Sequence, residues 1–180
     1  MKKRWISLAL AMLCCLGFAG CDKTGGGGGT VDQSQVESRM TSPFETTANI
    51  SYKDIKATAR IVSEEPRSCT VSFTSPSSLN GMSFAFAKDK LTVDYNGISF
   101  DLDPSNLPGG AVAKMVVSAV NSATEPQGVH VELKESSVEV SGLIEAGEFL
   151  LKLDPKSGNF LKLSIPASEL EMEFINFCPL

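Results

Sequence analysis

Residues 82–103 read MSFAFAKDKLTVDYNGISFDLD. Met82, Phe84 and Phe86 alternate with Ser83, Ala85 and Ala87. Lys88-Asp89 marks a turn, and Leu91, Val93 and Tyr95 then alternate with Thr92 and Asp94. Asn96-Gly97 is the strongest two-residue hairpin signal, because both central positions of the turn need φ > 0. Ile98, Phe100 and Leu102 resume the alternation against Ser99, Asp101 and Asp103. A period of two with one apolar and one polar face predicts a three-stranded antiparallel meander.

The same pattern continues in both directions. Downstream, Val129, Val131 and Leu133 alternate with His130, Glu132 and Lys134. Val138 and Val140 run on to Gly142, and Glu145-Ala146-Gly147 turns the chain. Phe149, Leu151 and Leu153 lead into Asp154-Pro155-Lys156-Ser157-Gly158, where Pro presets φ and Gly supplies a positive one. Phe160 to Ile165 and Leu170 to Phe177 read as the last two strands. Upstream, Phe44 to Tyr52, Ile55 to Val62 and Cys69 to Phe73 read as three more. The expected fold is mainly β, with about ten or eleven strands.

Between the two sets lies one helix. Pro108 suits a first helical turn, and Ala111 to Ala123 carries a single charge, Lys114. A helix this apolar must be buried on most of its circumference. It is too short for a membrane span, which needs about 20 apolar residues. A strongly curved sheet wrapped around this helix satisfies both patterns. Its wall residues Val112, Met115, Val116, Ala119 and Val120 would face Phe84, Phe86, Phe100 and Phe149 across the concave side. They are either plain core or the lining of a lipid cavity. Met suits a variable apolar guest because its side chain is flexible and polarizable.

The first twenty residues read as an export signal. Met1 to Arg4 is basic, Trp5 to Gly17 is apolar and uncharged, and small Ala19 and Gly20 precede Cys21. Phe18-Ala19-Gly20-Cys21 resembles the lipobox of bacterial lipoproteins. That resemblance implies cleavage before Cys21, a diacylglycerated Cys21 sulfur carrying chains such as palmitate, and a cell-membrane anchor facing the extracytoplasmic side. Residues 21–42 then read as a tether: five glycines, Gly25 to Gly29, followed by the polar stretch Thr30 to Ser42, with no helix evident. About 20 such residues span on the order of 25 Å. The domain is expected over 43–180.

Several segments of that domain resemble a known family. Leu151-Lys152-Leu153-Asp154-Pro155-Lys156-Ser157-Gly158, the strand ending Ile165-Pro166, and Met172-Glu173-Phe174-Ile175-Asn176-Phe177 are similar to the C-terminal half of the lipoprotein-carrier superfamily, the LolA/LolB-like proteins. The meander and the helix after Leu107-Pro108 stand in the family's order. The resemblance implies an unclosed half-barrel whose apolar cavity accommodates acyl chains. It also admits a second role, since related periplasmic regulators use this fold to sense lipoproteins.

Composition narrows the function classes. The chain has 180 residues, 16 Lys+Arg, 21 Asp+Glu and one His, for a net charge of −5. Without Lys2, Lys3 and Arg4 of the signal, 13 bases remain against 21 acids, a net charge of −8. A nucleic-acid binder normally shows a basic footprint, so no nucleic acid is expected. With one His and no CxxC pair, neither a metal site nor a cofactor is expected. His130 sits on a polar strand face with no recognisable nucleophile elbow, so catalysis is not expected. Asp101 and Asp103, two apart, and the alternating Glu169, Glu171 and Glu173 read as solvated faces. The glycines at 25–29 lack the Lys-Ser/Thr of a phosphate loop. Cys69 and Cys178 could form a disulfide after export or remain two separate thiols.

The expected function is a noncatalytic, membrane-anchored binding module that holds a lipid, an acyl chain or a lipoprotein. The alternative is a cell-envelope sensing or protein-interaction module without a bound lipid.

Overall fold

A computed structural model describes residues 38–124 and 128–180. The export signal, Cys21 and the glycine run lie outside the described residues. Eleven strands form one antiparallel sheet: β1 (Phe44–Tyr52), β2 (Ile55–Glu65), β3 (Ser68–Ser75), β4 (Met82–Ala87), β5 (Lys90–Tyr95), β6 (Ile98–Leu102), β7 (Val129–Leu133), β8 (Val138–Ile144), β9 (Gly147–Leu153), β10 (Phe160–Ile165) and β11 (Leu170–Pro179). Helix α1 (Val112–Ala123) lies between β6 and β7 in the chain.

The spatial order is β6-β5-β4-β3-β2-β1-β11-β10-β9-β8-β7. Each half of the chain is a meander, and β1 against β11 joins them. The edges β6 and β7 do not pair, so the sheet stays open. The architecture is the expected mainly β, unclosed half-barrel with one long helix.

Local turn chemistry sets the registers. Asn96 has φ 51° and Gly97 φ 82°, the two left-handed positions a two-residue hairpin demands. Tyr95 and Ile98 then pair directly across the turn. At the β9–β10 turn, the Asp154 carboxylate accepts from the Lys156 and Ser157 amides at 3.0 and 2.7 Å. These bonds hold its pKa below the usual carboxylate value.

The alternation places apolar side chains in rows across the concave face. One row runs Val131, Val140, Leu151, Leu163, Met172, Ile50 and Ala57. Its members from Val140 to Ala57 are buried. A second runs Phe100, Val93, Phe84, Val71 and Ile61 to Thr46. Thr46 is buried, and its hydroxyl donates to the Ile175 carbonyl at 3.0 Å, so no polar atom is stranded there.

Helix α1 packs against β8 and β9. Met115, Val116 and Ala119 are fully enclosed. Each fully buried side chain of the size of Val or Met contributes about 1.5–3 kcal/mol of apolar transfer energy.

Two features differ from the sequence expectation. Residues 38–41 are helical within a stretch that reads as a polar tether, and Met40 is buried in the core. Val31, Val36 and Met40 are the apolar residues of Thr30 to Ser42, too few to establish a helical period, so the sequence pattern does not reveal it. The second concerns the cysteines. Cys69 on β3 and Cys178 on β11 are both free, so the candidate disulfide is corrected. Strands β2 and β1 stand between them, and neighbouring strands lie about 4.8 Å apart. Their separation of roughly three strand spacings exceeds the ~4.4–6.8 Å between Cα atoms that a disulfide needs.

Candidate functional site: an apolar cavity at the helix start

A cavity of about 260 Å³ lies at the N-terminal end of α1. Strands β1 and β2 supply Ile50, Tyr52, Ile55 and Ala57. The β3–β4 region supplies Phe73, Leu79, Met82 and Phe84. Leu107 and Gly110 to Ala113 close the third side. The lining side chains are apolar apart from the Tyr52 hydroxyl, so the cavity suits an apolar guest.

Its wall is built by strand geometry. Ile50 and Tyr52 stand two apart on β1, hence on one face, and Ile55 and Ala57 do the same on β2. Tyr52 pairs with Ile55 and Ile50 with Ala57, so the four side chains form a patch around the β1–β2 turn. Phe73 and Phe84 meet edge to face, with ring centroids 6.2 Å apart.

The loop before α1 is held in place by one cation. Lys114 Nζ donates to the Leu107 carbonyl at 2.8 Å and pairs with Glu145 at 2.9 Å. Glu145 belongs to the β8–β9 turn, so this pair ties the cavity's third side to the other half of the sheet. The Glu145 side chain lies so near Gly109 that a Cβ there would sit 2.7 Å from it.

The expected cavity residues divide into three groups. Phe84 and Val112 line the cavity. Phe86, Met115, Val116, Ala119, Val120 and Phe149 are buried in the continuous core. Phe100 stands 46% exposed on edge strand β6, beyond the helix. The physical reason is the seat of α1: it lies on β8 and β9, so its middle turns fill their own groove and leave space at the first turn.

The remaining candidates are polar surface groups. His130 is exposed on β7. Asp101 accepts from Thr92 at 2.8 Å and pairs with Lys90 at 2.9 Å. Asp103 accepts from the Ser105 amide at 2.8 Å and begins a short 3-10 turn. Each carboxyl is held below its ordinary pKa, Asp101 by the Lys90 and Thr92 side chains and Asp103 by Ser105. The two have separate partners and do not share a proton. Glu171 pairs with Lys162 at 2.9 Å. No group of three or more His, Cys, Asp or Glu among the described residues could hold a metal ion.

One buried ion group does occur. Glu139 on β8 is 9% exposed at its side chain, and it pairs with Lys134 at 2.6 Å and Lys152 at 2.8 Å. Lys152 faces Glu139 directly across β8 and β9. Hydrogen bonds from the two lysines keep the Glu139 carboxyl below its usual pKa.

No protein-family model matches the chain, and no curated protein matches it. Solved structures do. An uncharacterized conserved protein from Thermus thermophilus matches with a TM-score of 0.51 at 15% identity, over 82% of this chain and 84% of that one. A LolA superfamily protein from Nitrosomonas europaea matches with a TM-score of 0.47 at 14% identity, over 82% and 93%. At 15% identity the first likeness is one of fold alone. The chain folds as an open antiparallel half-barrel with its apolar cavity at the start of the helix.

Proposed function

We propose that this chain is a noncatalytic binding protein of the bacterial envelope that holds an acyl chain in its half-barrel. The observation that carries the proposal is the apolar cavity of about 260 Å³ beside the first turn of α1. A guest there would lose apolar surface to water-free contact with Ile50, Ala57, Phe73 and Val112, which favours binding by roughly 0.8 kcal/mol per buried methylene.

The sequence before residue 38 supports the location. A basic start, an apolar run and Cys21 after small residues fit export and lipidation. A lipidated Cys21 followed by a glycine tether would hold the domain near the extracytoplasmic face of the cell membrane. Two or more acyl chains are needed for a stable anchor, and a lipobox cysteine would carry them.

Native mass spectrometry of protein purified without detergent tests the binding role. The expected result is a co-purifying species with the mass of an acyl lipid. A clean protein mass, together with no binding of a fluorescent fatty acid, contradicts the role. Fractionation of a Cys21→Ala variant tests the anchor, and unchanged membrane association contradicts it.

A further inference from the structure

The cavity has a direction. Along β1, exposure rises from 3% at Ile50 to half-buried Tyr52; along β2, it rises from 7% at Ala57 to 52% at Ile55. Ala113 of the helix is buried behind them. The closed end therefore lies toward the core and the mouth lies at the β1–β2 turn. Lys53 occupies that turn, with φ 52° and its amide donating to the Glu169 carbonyl at 3.1 Å. Its ammonium lies 5.2 Å from the centroid of the Tyr52 ring, which is part of the cavity wall. Among the described residues Lys53 has no ion pair. Asp54 follows it in the turn, yet the lysine is the charge held against the wall.

Volume limits the guest. At 260 Å³ the cavity lies between the ~150 Å³ that holds a benzene-sized guest and the ~300–1,000 Å³ of sites for larger ligands, so its size suits one short alkyl chain.

We infer that the cavity takes a single-chain anionic amphiphile, tail inward, with its acidic head at the β1–β2 turn beside Lys53. The inference rests on the acyl-binding role proposed above and adds chain number and head charge. A tail-first orientation leaves the head in water at the mouth, where desolvation costs least. The exposed Lys53 ammonium rests over the Tyr52 face beside the mouth, within reach of an acidic head that stays in water there.

Isothermal titration calorimetry on the purified protein tests this with three probes below their micelle concentrations: decanoate, decyltrimethylammonium and didecanoyl phosphatidylglycerol. Decanoate is expected to bind 1:1 and at least tenfold more tightly than either of the others. In Lys53→Gln, its advantage over decyltrimethylammonium is expected to fall to threefold or less. Equal or tighter binding of the two-chain lipid overturns the single-chain inference while leaving acyl binding intact. Equal binding of the cationic probe, or an unchanged preference in Lys53→Gln, overturns the role of the head group. Failure of all three probes to bind overturns both the inference and the acyl-binding role.

Discussion

Gly142 on β8 lies directly opposite Phe149 on β9, and a Cβ added at Gly142 would sit 2.8 Å from the Phe149 ring. The ring fills the space that the missing side chain leaves. Phe149 is fully buried in the core that also contains Met115, Val116 and Ala119. Phe149 thus belongs to the core over which α1 lies against β8 and β9.

Gly142→Ala is therefore expected to destabilise the fold by about 1–3 kcal/mol, the usual cost of overpacking. Urea denaturation with the slope unchanged would measure it. An unaltered midpoint would show that β8 and β9 yield without strain and would detach the helix seat from this pair.

The ion group around Glu139 predicts an acid-sensitive contribution to stability. Its folded-state pKa is lowered from 4.5 by hydrogen bonds from Lys134 and then Lys152. A lowered carboxyl pKa gives stability that is present above the unfolded value and lost as pH falls through the folded one. Glu139→Gln should melt below the parent protein at pH 7, and the gap should close as pH drops below about 4.5. A gap that persists undiminished at pH 2–3 would assign the effect to packing instead of charge.

The two thiols should differ sharply in reactivity. Burial pushes the pKa of the Cys69 thiol up to about 12, whereas Cys178 is exposed near the end of β11. The thiolate is the reacting species, so alkylation at pH 8 should label Cys178 and spare Cys69 until the protein is unfolded. Peptide mapping reads this directly. Protection of both thiols that disappears on reduction would restore a disulfide between them.

The fold is legible in the sequence because its instructions are local. Asn96-Gly97 demands a hairpin, and Asp154 to Gly158 a turn; both occur where the sequence places them. Alternation assigns the sheet faces correctly, including Phe100 on the apolar side opposite Val93. What alternation lacks is the extent of the cover above each face. A helix apolar on nearly every side carries no sign of which strands it will touch, so the sequence points to a cavity along its middle turns. Phe84 and Val112 read as lining residues, whereas Ile50, Tyr52, Ala57 and Phe73 read as ordinary strand positions. Their role depends on the pairing of β1 with β11, a contact between the two ends of the domain that no local pattern encodes.

Photo-crosslinking with a diazirine-bearing fatty acid tests the central claim most directly. The expected result is label on peptides containing Ile50, Ala57, Phe73 or Val112, and loss of that label in Ala57→Phe, whose ring would occupy the cavity. Absence of specific label, or label concentrated on exposed Ile98 and Phe100 of β6 and indifferent to Ala57→Phe, would contradict a binding site at the start of the helix.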